Sequence, residues 1–181
     1  KYKVEVTSRD SSKILASQDF TWGVLAINTD KSTYLPKDKA RLTFAVLNDS
    51  GHMVCDAFLR LKIITPEGKA VHYSTEDGTI KVNPDCSRKA YTQIPDYEAE
   101  YEVGEAGRYE MELSALTENG PRSIEDSFEV RKWAAFDIQR KAPTRIYPFA
   151  SYPVNIKVRV NQDFKGEVVE SVPDSFEIKN Q

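Results

Sequence analysis

Histidine, cysteine, methionine and tryptophan are scarce in this chain, each occurring twice in 181 residues. With only His52 and His72 available, a Ser–His or Cys–His catalytic pair has few ways to form. His52 lies close enough to Cys55 in sequence for a dyad, but a polar turn residue beside a half-cystine is the expected reading. There is no G-x-S-x-G, H-E-x-x-H, P-loop or dinucleotide-type glycine motif, so the chain is not expected to be an enzyme or to carry a cofactor. No apolar run approaches the roughly eighteen residues that a spanning helix needs. The opening Lys1-Tyr2-Lys3-Val4 has no apolar signal region, so any targeting segment is expected to lie outside this sequence. Net charge is -3, with both signs interspersed along every segment. Nucleic acid is therefore not an expected partner, because binding it needs a clustered basic face that displaces counterions.

The two cysteines, Cys55 and Cys86, lie 31 residues apart, outside any C-x-x-C pair and away from a histidine cluster. A zinc site wants four converging ligands, so metal is disfavoured. The two readings left are a pair of buried thiols and a disulfide. The disulfide is favoured; closing that loop stabilises by about 3–4 kcal/mol through loss of unfolded-state entropy. It also implies an oxidising compartment, and hence an extracellular or cell-surface location.

What the chain does hold is strand material. Apolar residues make up 40% and charged residues 29%, with nine Tyr and eight Phe. Within residues 40–48, Leu42, Phe44 and Val46 fall on one face at period two. Leu59, Leu61 and Ile63 repeat this against Arg60 and Lys62. Short runs follow at 70–75 and 79–82, split by Glu76-Asp77-Gly78. Tyr97, Ala99, Tyr101 and Val103 alternate with Glu98, Glu100 and Glu102, and Tyr109, Met111, Leu113 and Ala115 continue the theme. Ile124, Phe128 and Val130 suggest a last strand that admits a bulge. Turn clusters such as Asn48-Asp49-Ser50-Gly51 and Pro66-Glu67-Gly68 separate these runs. No segment carries a capped helical stripe. The expected fold class is all-β, built of tandem immunoglobulin-like β-sandwich domains.

An internal repeat shapes the domain plan. Residues 1–22 run basic residue, Tyr, alternating strand, polar turn, then a strand ending near Asp19-Phe20; residues 108–130 run the same way, ending near Asp126 and Phe128. Residues 1–22 are thus expected to be the terminal hairpin of a preceding, or strand-complemented, sandwich. Residues 23–131 form one complete sandwich of about seven strands. Residues 134–181 begin a partial second sandwich, with strands near 134–140, 152–160 and 164–171, too few to close alone. Residues 1–22 of the same or a neighbouring chain can complete it by strand addition; a fragment cut from a longer protein is the plainer expectation.

Residues 24–130 carry a family resemblance. Asp30-Lys31-Ser32-Thr33-Tyr34-Leu35-Pro36-Lys37-Asp38 is similar to the D-K-x-x-Y-x-P-G-D opening of bacterial immunoglobulin-like and macroglobulin-type domains of secreted or surface proteins (the second macroglobulin domain in particular). The stretch from Asp49 to Ala57 resembles their D-x-G-x-x-V-x-x-A turn, Pro66-Glu67-Gly68 their P-x-G hairpin, and Gly104-Glu105-Ala106-Gly107-Arg108-Tyr109 their G-x-x-G-x-Y motif. Lys37 stands where the family often has Gly, which leaves the type of that turn open. A Tyr just after Gly107 is suited to anchor a corner by bonding back to the backbone. The resemblance implies a non-catalytic structural or adhesive module, a spacer or assembly unit. Its partners are then other copies or neighbouring domains of the same protein, or a surface glycan or protein ligand. The thioester motif Cys-Gly-Glu-Gln of macroglobulins is absent. Two alternatives are a carbohydrate-binding accessory module of a secreted enzyme and a macroglobulin-type protease-interacting domain without a thioester.

Remaining handles are few. Glu98, Glu100 and Glu102 share a strand face where calcium can bind, although a solvated face is the plainer expectation. Lys31, Lys62 and Lys157 are candidates for intramolecular isopeptide bonds with Asn. Trp22 and Trp133 sit at the two proposed boundaries, expected to pack between modules. The sharper reading groups Trp133 with Tyr147, Phe149 and Tyr152 as a platform for sugars.

Overall fold

A computed structural model describes residues 2–8, 14–20, 25–48, 51–88, 94–117, 120–143 and 150–179. Among them there is no helix, and so none long and apolar enough to cross a membrane. The chain is all-β. Its strands are β1 (Tyr2–Ser8), β2 (Ile14–Phe20), β3 (Leu25–Thr29), β4 (Thr33–Tyr34), β5 (Lys39–Val46), β6 (Phe58–Ile64) and β7 (Ala70–Ser74). They continue as β8 (Lys81–Val82), β9 (Tyr97–Glu102), β10 (Gly107–Thr117), β11 (Gly120–Val130), β12 (Phe136–Lys141), β13 (Asn155–Val160) and β14 (Gly166–Ser171).

Residues 25–130 make two sheets around one core. One sheet is ordered β4-β11-β10-β6-β7 and the other β3-β5-β9-β8. All pairings within them are antiparallel except β4 on β11, which is parallel. Period-two alternation sends Leu42, Phe44, Tyr97 and Ala99 inward from one sheet to meet Leu59, Leu61, Met111 and Leu113 from the other. Each Leu, Phe or Met among them contributes about 1.5–3 kcal/mol of transfer free energy when fully buried. A ring cluster spans the gap: Tyr109 stacks on Phe128 at 5.0 Å, Tyr34 meets Phe128 edge-on at 5.1 Å, and Tyr101 of the facing sheet lies 5.9 Å from Tyr109.

The last long strand departs from its expected form. β11 pairs with β10 in continuous register from Gly107↔Val130 to Thr117↔Gly120, without a bulge. Ile124, Asp126, Phe128 and Val130 share one side, and the half-buried Asp126 breaks the apolar pattern without breaking the ladder.

The expected turn before β5 keeps its shape despite Lys37. That residue takes φ 73° itself, the conformation a glycine would adopt there. Pro36 followed by a positive φ is the type II arrangement. It is held by Asp38 N–H to Leu35 C=O at 3.0 Å and Lys37 N–H to Val103 C=O at 2.9 Å.

The other strands form two smaller sheets. β1 lies between β2 and β14 in the order β14-β1-β2, both pairings antiparallel, with a register shift between Val6 and Thr7 on the β2 side. β12 pairs with β13, and Phe136 meets Phe164 edge-on at 4.7 Å.

Candidate functional site

The densest polar geometry lies where the two-sheet core meets β12. Asp30 directly follows β3, and its side chain accepts three bonds, from Tyr34 Oη–H at 2.7 Å, Arg41 N–H at 3.0 Å and the Gln139 side-chain amide at 3.0 Å. The backbone joins in, with Arg140 N–H donating to Asp30 C=O at 3.1 Å and an isolated antiparallel bridge between Lys31 and Gln139. Lys31 Nζ reaches Asp137 Oδ2 at 3.1 Å and Asp38 Oδ2 at 3.3 Å. Arg140 then pairs with Glu170 of β14 at 3.1 Å, carrying the connection to the β14-β1-β2 sheet. These contacts join three sheets through one chain segment.

Electrostatics follow from the geometry. Burial acts to lower the Lys31 pKa, but the bonds and charges of Asp137 and then Asp38 outweigh it and leave it raised. Burial, and then the charge of Asp30, push the Tyr34 hydroxyl well above its usual range, so it stays a neutral donor.

Opposite this junction, Cys55 and Cys86 form a disulfide with a Cα–Cα distance of 5.7 Å, joining the β5–β6 and β8–β9 connections. Cys55 therefore offers no thiol to His52. The Tyr97 hydroxyl donates to Val54 C=O at 2.6 Å and accepts Ala57 N–H at 3.1 Å, which holds the backbone on both sides of Cys55.

Of the candidate aromatics, two fall among the described residues. Trp22, Tyr147 and Phe149 lie outside them. Tyr152 is half-buried, and Trp133 is 61% exposed. Trp133 lines a cleft of about 410 Å³ with Ile14, Ser17, Ser32, Thr33 and Glu129 among its walls. Glu98, on the expected acidic face, is taken up by Arg41 at 2.6 Å. Of the isopeptide candidates, Lys31 is the one placed against carboxylates, and they are aspartates. The junction itself escaped sequence reading; its only signal was the polar run Asp30-Lys31 facing Asp137-Ile138-Gln139-Arg140 at a distance in sequence.

No family model and no curated protein matches the chain. Among solved structures, the soluble domain of PmoD from Methylocystis sp. aligns with 63% of this chain and 98% of its own, at TM-score 0.40 and 14% identity.

Proposed function

We propose that residues 25–130 form an immunoglobulin-like module and that the chain serves as a non-catalytic structural or adhesive unit of a secreted or cell-surface protein. The strand order supports the module: one sheet of four, one of five, and a short strand switching sheets to run parallel to the last strand. The motif resemblance to bacterial immunoglobulin-like and macroglobulin-type domains points the same way. The Cys55–Cys86 disulfide supports an oxidising compartment.

The observation that carries the spacer role is the junction at Asp30 and Lys31. A spacer must transmit orientation, and here paired charges and backbone bonds tie one module to the strands that follow. NMR relaxation tests this. The two parts are expected to tumble with one correlation time, and Asp137→Ala is expected to separate them. Two correlation times in the unmodified chain would sink the spacer reading.

One observation favours a second reading. Trp133, exposed over a cleft lined by hydroxyls and Glu129, has the chemistry of a sugar platform. Glycan-array binding lost in Trp133→Ala would establish a carbohydrate-binding module instead.

A further inference from the structure

The smaller sheets reproduce part of the larger assembly, strand for strand. The order β14-β1-β2 matches β6-β10-β11, with the same antiparallel sense throughout. The repeat hairpins agree in register as well: Tyr2 lies opposite Phe20 as Tyr109 lies opposite Phe128. On the other flank, Lys3 pairs with Ser171 where Glu110 pairs with Ile64. Both partners stand two residues before a proline, Pro173 and Pro66, and each proline lies in a turn, the first residue of 173–176 and the second of 65–68. The pair β12-β13 corresponds to β3-β5.

One strand has no counterpart among the described residues. In the larger assembly β9 pairs with the second edge of β5, whereas no described strand pairs with the second edge of β13. The chemistry of the β5–β9 pairing shows what that edge suits. Outward-facing Lys39 and Arg41 lie opposite Glu102 and Glu100, and Arg41 bonds Glu98. Inward, β9 contributes Tyr97, Ala99 and Tyr101 to the core. β13 carries the same spacing of charge, with exposed Lys157 and Arg159, while Ile156 and Val158 are half-buried on its other face beside Phe136 and Ile138.

We infer that the free edge of β13 accepts an added strand, supplied by a partner segment whose residues alternate apolar with acidic. Strand addition gives affinity through the backbone ladder, and the alternate side chains set specificity. Two like-charged β13 edges repel one another, so self-pairing of this edge is disfavoured. The inference rests on the immunoglobulin-like reading, but its test does not depend on rigidity at the junction.

The probe is a free peptide of this chain's own residues 95–104, titrated into the full ¹⁵N-labelled chain. Saturable shifts are expected at the amides of Asn155–Val160, weakening at least tenfold in Lys157→Glu/Arg159→Glu. A peptide with its three β9 glutamates changed to lysine is expected to bind that variant and not the unmodified chain. Absence of binding overturns the inference, as does equal binding to the charge-reversed variant. Shifts confined to β5 and β8 would mean exchange with the resident β9, and would also overturn it. Failure here with a single correlation time retained removes the acceptor edge and leaves the spacer role standing.

Discussion

The hydroxyl of Tyr97 donates to the carbonyl of Val54 at 2.6 Å, one residue before Cys55 in the chain. It also accepts Ala57 N–H at 3.1 Å, so one phenol and one disulfide hold the same loop from two sides. Burial raises the Tyr97 pKa, which keeps the phenol protonated as a donor. Tyr97→Phe leaves a backbone donor and an acceptor without their partner and is expected to cost about 1–3 kcal/mol. Removing the disulfide by Cys55→Ala/Cys86→Ala is expected to cost about 3–4 kcal/mol. The two losses are expected to be non-additive, because each frees the loop that the other restrains. Urea denaturation of the single, paired and combined variants measures the coupling; strict additivity would show that the two restraints act independently.

Tyr109 closes the corner leading into its own strand. Its hydroxyl accepts Gly104 N–H at 3.2 Å and donates to Glu105 C=O at 3.0 Å, while its ring stacks on Phe128. Tyr109→Phe preserves the stack and loses the corner, so stability is expected to fall by about 1–2 kcal/mol with an unchanged denaturant slope. A fall in the slope itself would mean that the corner organises the whole sandwich.

Sequence made that corner legible because both parts are local: a glycine before the strand and a tyrosine four residues from its acceptor. The alternating strands were legible for the same reason, since period two requires only neighbouring residues. The disulfide followed from arithmetic on two cysteines. The junction was not legible, because Asp30 meets Gln139, and Lys31 meets Asp137, across more than 100 residues of chain. The two-residue strand β4 was missed as well, being too short to show a period, whereas β8 falls within the short run expected at 79–82. Asp126 misled in the other direction. A polar residue on an inward phase reads as a bulge, yet the ladder passes through it unbroken.

Two backbone positions near that corner predict opposite outcomes. Lys37 holds φ 73°, a region that costs a non-glycine residue roughly 1 kcal/mol or more, so Lys37→Gly is expected to stabilise modestly. At Gly107, φ is 149° and an added Cβ would lie 2.5 Å from Cγ of Pro66. Gly107→Ala must displace either the strand entrance or the β6–β7 turn, and is expected to cost about 1–3 kcal/mol. Thermal melts of both variants check the pair. A neutral Gly107→Ala would mean that the β6–β7 turn gives way freely.

Alkaline pH offers a separate probe of the junction. Lys31 has a folded-state pKa above its ordinary 10.5, because Asp137 and Asp38 outweigh the opposing effect of burial. A raised pKa means that the folded chain holds this proton more tightly than the unfolded chain. The resulting stabilisation is fully present below the unfolded value and is lost as pH rises through the folded one. Tyr34 and Tyr97 are raised too, so they also weaken the fold at high pH. Comparison with Lys31→Met isolates the lysine, because both tyrosines remain in the variant. The stability gap between the two proteins is expected to be constant from about pH 8 to about pH 10 and to shrink above that. The single correlation time of the unmodified chain is expected to split in that same alkaline window. A gap that persists unchanged to the highest pH would assign Lys31 a packing role, with its four-carbon stem and not its charge holding the junction.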